Sequence, residues 1–202
     1  MPCRRLGVLA FVVALVCGLA GCSSGKSVSS RSIVTQVLTF HPFVSTGPAP
    51  GITIGLKTTG DCIGSIADGG RPDTYRCFLN NTEPGHGNII DPCFKSPNGE
   101  TYVLCFQSPW DHSALEVQPT SEATGNPLAS DDPWALKLTN GRECTYVTGA
   151  TLLIGKMRLN YGCTNGAQLW GNPDHSKSLW TIDYQANGSK SLVRVGIITA
   201  YS

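Results

Sequence analysis

Charged residues are scarce in this chain, and their two signs are nearly balanced. Only 14% of the 202 residues are Asp, Glu, Lys or Arg, and the formal net charge is +1. No basic cluster interrupts this balance. A nucleic-acid partner, or docking on a membrane by charge alone, requires a concentrated basic surface. We therefore expect neither mode of binding and predict no nucleic-acid partner.

Short catalytic and cofactor motifs are also missing. The sequence has no H-E-x-x-H, no P-loop and no dinucleotide-binding glycine pattern. It has no C-x-x-C, and no cysteine pair has the short spacing of zinc sites. Asp111-His112-Ser113 and Asp174-His175-Ser176 contain triad residue types, but neighbours on an extended chain point to opposite faces. We therefore predict no catalytic residue, no metal and no cofactor.

The longest apolar run is too short to cross a membrane as a helix. It extends from Leu6 to Val16, whereas a transmembrane helix needs about 20 such residues. Arg4 and Arg5 precede it and small residues follow it, as in an export signal. The sequence predicts a signal peptide over residues 1–21. The alternatives are an uncleaved anchor and a plain secretory signal.

The end of this signal, Leu19-Ala20-Gly21-Cys22, resembles a bacterial lipobox. The resemblance implies that Cys22 carries a diacylglyceryl group on its sulfur and that the chain is cut before it. The new terminus is often acylated as well. Because each buried CH₂ contributes about 0.8 kcal/mol, two or three chains hold where one does not. We expect a protein anchored by lipid, as palmitate or a similar acyl chain, to the cell membrane, facing outside the cytoplasm.

The mature chain then divides into a leash and a folded part. Residues 22–32 are small and polar and predict a lipidated flexible tether. Residues 33–202 predict one extracytoplasmic domain, with enough chain for a core. Loss of Arg4 and Arg5 leaves 13 basic residues against 14 acidic ones.

Nine cysteines are present, and three of them are accounted for at the N-terminus. Cys3 and Cys17 leave with the signal, and Cys22 takes the lipid. Thiols of exported proteins oxidise, and six cysteines give an even number for pairing. We expect three disulfides among Cys62, Cys77, Cys93, Cys105, Cys144 and Cys163. Sequence alone permits 15 pairings of six cysteines.

One pairing is supported by a turn. Asn98-Gly99 is a hairpin signal that brings Cys93 and Cys105 nearly opposite each other, within the Cα separation of a disulfide. Pairing of the remaining sequence neighbours adds Cys62–Cys77 and Cys144–Cys163. Each bridge closes a loop worth about 3 kcal/mol on the chain-entropy account.

The remaining patterns favour antiparallel β-structure with little helix. Asn-Gly tolerates the positive φ of tight hairpin turns, and it occurs at 98–99, 140–141, 165–166 and 187–188. Candidate strands are Ile33–Phe40, Ile52–Leu56, Thr74–Leu79, Thr101–Phe106, Trp134–Thr139, Thr151–Ile154, Met157–Tyr161, Gln168–Trp170, Leu179–Tyr184 and Leu192–Ala200. We predict a mainly β sandwich or barrel-like domain. A subdomain boundary near residues 109–133 is the alternative to one compact unit.

Aromatic and acidic side chains are the remaining candidates for function. Exposed tryptophans offer a platform for sugar or peptide, and the four are Trp110, Trp134, Trp170 and Trp180. Two carboxylates about 5–9 Å apart across a cleft would instead support glycosidase chemistry. The acidic residues weighed for that role are Asp61, Asp68, Asp91, Glu116 and Asp183.

A set of short segments is similar to a pattern found in cysteine-rich envelope lipoproteins of actinobacteria. The segments are Asp61-Cys62, Tyr75-Arg76-Cys77, Asp91-Pro92-Cys93-Phe94, Pro133-Trp134-Ala135-Leu136, Asn160-Tyr161-Gly162-Cys163 and Leu179-Trp180-Thr181. The resemblance covers about residues 60–185 and brings no activity with it. It implies a disulfide-bearing domain outside the plasma membrane.

Together these observations favour a non-enzymatic, membrane-anchored binding module. Candidate partners besides the bilayer are cell-wall polymer, another envelope protein and a small ligand. The alternative is an envelope hydrolase acting on cell-wall glycan or peptide. A structural assembly role would instead require a large exposed apolar patch.

Overall fold

Every regular element among the described residues is a β-strand. The computed structural model describes residues 33–68, 70–80, 89–122 and 132–202, so the predicted signal, Cys22 and the tether lie outside it. The strands of the N-terminal half are β1 (Gln36–Leu38), β2 (Phe43–Val44), β3 (Gly47–Pro48), β4 (Thr53–Gly64), β5 (Thr74–Leu79), β6 (Ile89–Lys95), β7 (Val103–Cys105) and β8 (Ser113–Pro119). Those of the C-terminal half are β9 (Ala135–Leu138), β10 (Glu143–Tyr146), β11 (Leu153–Ile154), β12 (Met157–Cys163), β13 (Gln168–Asp174), β14 (Trp180–Gln185) and β15 (Val193–Tyr201).

The first barrel consists of β4 to β8 in sequence order. Consecutive strands pair antiparallel, and β4 pairs with β8 to close the ring. The closing pair is parallel, because the first and last of five alternating strands run the same way. Strand β4 alternates between outward and inward side chains over 12 residues, as the two-residue period of a strand requires.

The second barrel closes with six strands: β9, β10, β12, β13, β14 and β15. An even number of alternating strands makes the closing pair of β15 with β9 antiparallel. Strand β1 adds in parallel beside the last residues of β15, beyond the stretch that pairs with β14. The short strand β11 forms a hairpin with the start of β12.

All four Asn-Gly dipeptides occupy hairpin connections, as the sequence predicts. They join β6 to β7, β9 to β10, β12 to β13 and β14 to β15. Their glycines have φ between +74° and +79°, a region that only glycine enters without strain.

The three disulfides lie inside the barrels. Each joins two directly opposed residues of an antiparallel pair, namely Cys62–Cys77, Cys93–Cys105 and Cys144–Cys163. All six cysteines are at most 9% exposed. The Cα separations of 3.9 to 4.1 Å are shorter than the expected range, because the side chains bridge straight across neighbouring strands. The predicted mainly β fold with three disulfides is therefore confirmed.

A third apolar cluster joins the two barrels. It contains Phe94 and Phe106 from the first barrel and Trp134 at the entry to the second. The ring of Phe40 packs against these three at centroid distances of 5.3, 5.0 and 5.6 Å. The segment after β1 therefore packs into the junction between the two barrels. Residues 33–202 form one compact unit, in which the chain leaves the first barrel after Pro119 and enters the second at Ala135.

Several strands differ from the sequence prediction. Strand β4 continues to Gly64, and β6, β8 and β10 were not among the candidates. The cause is clearest in β6, where Asp91-Pro92 breaks the usual strand pattern. Its strand conformation is supported instead by pairing with both β5 and β7.

Candidate functional site

A buried polar cluster lies where β4 turns into β5. Asp91, on β6, has a side chain that is 0% exposed. Its carboxylate accepts a hydrogen bond from the Ser65 hydroxyl and others from the backbone N–H groups of Ile66 and Ala67, at 3.0 and 3.2 Å. Arg76 Nε lies 3.2 Å from the same carboxylate. Four donors therefore surround the Asp91 carboxylate at this turn. Their hydrogen bonds offset the free-energy cost of burying its charge.

A second buried carboxylate lies near that of Asp91. Asp68 is 2% exposed, and its backbone N–H donates to the Ser65 hydroxyl oxygen at 2.9 Å. Its Oδ2 lies 4.0 Å from Arg71 Nε and has no hydrogen-bond partner among the described residues. Burial raises the pKa of Asp68 from 3.8 to about 7, against the opposing charge of Arg71. Burial also raises the pKa of Asp91, while Ser65 and Ile66 lower it.

Arg71 links this cluster to both ends of the folded domain. Its guanidinium donates to the carbonyl of Phe40 at 2.7 Å and lies 5.1 Å from the ring centre of Phe94. It also forms two hydrogen bonds with Asp73 and contacts the Ser202 carbonyl at 3.4 Å. The cluster thus holds the 65–74 turn against the junction. Ser65 and Asp68 are almost fully buried. The role of this polar cluster is therefore to stabilise the turn between β4 and β5.

The other acidic candidates lie apart and are engaged in surface contacts. Asp61 accepts a hydrogen bond from Ser121, Glu116 pairs with Lys57, and Asp183 pairs with Arg194. Only Asp68 and Asp91 of the five come together, and both are buried rather than placed across an open cleft. This arrangement gives no support to the glycosidase alternative.

The two histidine triplets do not assemble a triad. His112 is exposed, and its backbone carbonyl accepts a bond from the N–H of Thr53. His175 stacks on Trp180 with ring centres 3.8 Å apart. Asp174 accepts its bond from the backbone of Ser176 rather than from the imidazole. His175 therefore makes an aromatic contact.

Three cysteine sulfurs of the first barrel lie within 4.8 Å of one another. They belong to Cys77, Cys93 and Cys105, and all three are in disulfides. Metal binding requires free thiolates, so in this oxidised state the cluster is two adjacent crosslinks and no ligand set.

A groove runs along the junction of the two barrels. One part, of about 390 Å³, includes Trp110, Asp111 and Glu143 in its lining. A second part, of about 230 Å³, includes Tyr146 and also Asp91, whose side chain is 0% exposed. Gln107 and Thr145 line both parts, so the two parts are adjacent and have walls from both barrels.

Trp110 is the tryptophan that contributes to this groove. It is half-buried, and its ring meets that of Tyr201 edge to face at 5.6 Å. Trp134 and Trp170 are core residues at 1% and 2% exposure, and Trp180 stacks on His175. Sequence analysis named Trp110 as a candidate platform, but it had no signal for Gln107 and Thr145. Their role depends on the packing of two distant segments.

Within the part of the chain that the structure describes, no helix has the length and apolarity to cross a bilayer. The chain matches no protein-family model, no curated protein and no solved structure.

Proposed function

We propose that the protein is a lipoprotein of the bacterial cell envelope. Acyl chains on Cys22 anchor it to the membrane, and the double-barrel domain acts as a binding module outside the cytoplasm. The observation that carries this proposal is the use of cysteine. The six cysteines that follow Cys22 all pair with one another inside the barrels, so none of the six is left to pair with Cys22.

The disulfides support the extracytoplasmic setting. Stable structural disulfides are typical of exported proteins and rare in the reducing cytosol. The cysteines are buried in the two barrel cores, so the crosslinks belong to the folded state. A thiol at position 22 is left for the diacylglyceryl group that the lipobox resemblance implies.

The inter-barrel groove is the binding surface that the geometry favours, and a strand of envelope glycan is the ligand we propose for it. Its two adjacent parts suit an extended polymer. The half-buried ring of Trp110 offers an apolar face of the kind that packs on a sugar ring. Gln107 and Thr145 add an amide and a hydroxyl group of the kind that hydrogen-bonds to sugar hydroxyls.

Labelled fatty acid tests the anchor. Cells expressing the full chain are grown with alkyne-tagged palmitate, and the protein is purified and examined for label. We expect label on the wild type and on Cys17→Ser, which changes a cysteine of the signal. Cys22→Ser should carry none and should leave the membrane fraction. Equal labelling of Cys22→Ser would overturn the proposal.

Binding to isolated cell-wall glycan tests the groove. Loss of one aromatic stacking contact costs about 1–1.5 kcal/mol, which corresponds to a roughly 10-fold weaker affinity for Trp110→Ala. Gln107→Ala should weaken binding as well, without touching the Trp110–Tyr201 contact. Trp180→Ala, which alters a tryptophan outside the groove, is the matched control. Unchanged affinity in both groove variants would exclude this surface.

A further inference from the structure

The hairpin of β11 and β12 presents a run of aliphatic side chains to solvent. Leu152, Leu153 and Ile154 are 62%, 67% and 37% exposed. The turn that follows contains Gly155, at φ +60°, and the exposed Lys156. Single exposed aliphatic residues are ordinary, but three in succession at one tip form a patch of the kind that marks a binding surface.

The base of this hairpin is firmly held. The backbone N–H of Leu159 donates to the Leu152 carbonyl at 3.0 Å. The guanidinium of Arg158 donates to the carbonyls of Val147 and Gly149, both at 3.1 Å, and lies 5.2 Å from the ring centre of Tyr146. These bonds hold the backbone of the hairpin at its base, so the tip is a fixed projection that exposes aliphatic side chains.

The N-terminus of the folded domain lies at the same end of the second barrel. Strands β12 and β14 begin at this end and β13 ends there, because the three strands alternate in direction. The backbone N–H of Thr35 donates to the Ser178 carbonyl at 2.9 Å, just before β14. Ile33 and Val34, 60% and 48% exposed, directly precede this contact. The β13–β14 loop therefore lies between two exposed apolar patches.

The distance from Cys22 to Ile33 limits how far this end can lie from a lipid anchor. Eleven residues span at most about 40 Å when fully extended. Acyl chains on Cys22 would thus keep Ile33 near the head groups, and the hairpin tip is displayed at the same end.

We propose that the tip of the β11–β12 hairpin rests on the bilayer, with Leu152, Leu153 and Ile154 inserted at the boundary between head groups and acyl chains. The inference rests on the proposed lipid anchor and adds a second, weaker contact. The contact is apolar, in keeping with the nearly balanced charge of the chain. Lys156 reaches the phosphates while its aliphatic stem stays beside the tip.

Tryptophan quenching by brominated lipid tests this contact. The full lipoprotein carrying Leu153→Trp is reconstituted in phosphatidylcholine–phosphatidylglycerol vesicles with brominated acyl chains. The matched control is Val193→Trp, because Val193 is 54% exposed and opens β15 at the opposite end of the barrel. The signal of the native tryptophans is subtracted using the wild type. We expect quenching of the new Leu153→Trp signal by about half, as for a ring at the acyl boundary, and none for Val193→Trp.

A high-salt measurement and the acylation state of Cys22 distinguish the possible results of this quenching experiment. Quenching of Leu153→Trp should persist at about 1 M salt, where charge attractions are screened within roughly 3 Å. An unquenched signal on protein with intact acyl chains would overturn the membrane contact and leave the anchor standing. A blue-shifted but unquenched signal would mean that a protein, or a second copy of the chain, covers the tip, which also overturns the proposal. Absence of acyl groups on Cys22 would defeat the proposed function itself.

Discussion

The two barrels have similar strand architecture but differ in what fills them. Cysteines are four of the nine buried residues in the core cluster of the first barrel, and two of the eleven in that of the second. The second core instead contains leucine, isoleucine and tyrosine side chains such as Leu138, Tyr161 and Ile182. Crosslinks therefore take the place of apolar volume in the first barrel.

The two barrels also differ in the contacts that stabilise the turns at their ends. The 65–74 turn of the first barrel is held by the buried carboxylate of Asp91 and its four donors. Three Asn-Gly turns lie together at one end of the second barrel, at 140–141, 165–166 and 187–188. The comparison indicates that disulfide crosslinks and ionic contacts contribute more to the first barrel, whereas Asn-Gly turns and apolar packing contribute more to the second.

Removal of the first barrel's disulfides should have the largest effect. Replacing Cys62, Cys77, Cys93 and Cys105 by alanine opens two loops worth about 3 kcal/mol each. That sum is comparable with the whole stability of a small domain. We expect amide-exchange protection to be lost in β4–β8 and largely kept in β9–β15. Cys144→Ala with Cys163→Ala is the matched control, and a greater loss there would reverse the comparison.

Removal of the buried Asp91 carboxylate should cause the second-largest loss of stability. Asp91→Ala leaves Arg76 and the N–H groups of Ile66 and Ala67 without their acceptor, at a cost of about 3–5 kcal/mol. Urea unfolding measures this loss. The control Asp183→Ala breaks a half-exposed pair with Arg194 and should cost less than about 1 kcal/mol. Similar losses in the two variants would contradict a special role for the cluster.

Asp68 should make stability depend on pH. Its pKa is raised from 3.8 to about 7, so between these values the folded state holds a proton that the unfolded state has lost. Stability is then greatest below pH 4 and falls as pH rises towards 7. Asp68→Asn removes the titrating group, so its stability relative to the wild type should rise by roughly 4 kcal/mol between pH 4 and pH 8. A constant difference between the two unfolding curves would disprove this.

The turns of the second barrel should show the smallest effects. Alanine at φ near +77° costs about 1–2 kcal/mol, which is the full expectation for Gly141→Ala, where no atom lies within 4 Å of the new Cβ. Gly166→Ala should cost more, because its Cβ would lie 2.8 Å from Asn187 Nδ2 in the neighbouring turn. Thermal unfolding of the two variants measures the difference. Equal losses would show that the two turns do not support each other.

The contrast between the two barrels also explains which strands could be predicted from the sequence. In the second barrel, Asn-Gly turns between apolar runs gave the approximate position of most strands, because the signals are local. In the first, β6 contains Asp91-Pro92, and the part of β4 after Leu56 contains Lys57, Gly60 and Asp61. These residues disfavour strands on propensity. Disulfides and pairing on both sides override that preference.

The candidate groove was less accessible to prediction than the fold. Trp110 could be singled out by residue type, since a tryptophan after a proline stands out in any sequence. Gln107 and Thr145 come from different barrels and meet only through the junction around Phe40. No local sequence pattern predicts that these two residues lie close together, because their proximity depends on how the two barrels pack.

Intact-mass spectrometry of the protein extracted from native membranes tests the central claim most directly. The account predicts a chain that begins at Cys22, carries two or three acyl groups, and gains six alkyl labels only after unfolding and reduction. A chain that retains residues 1–21 or lacks acyl groups would contradict the lipid anchor. Alkylation of the six cysteines without reductant would contradict the oxidised barrels.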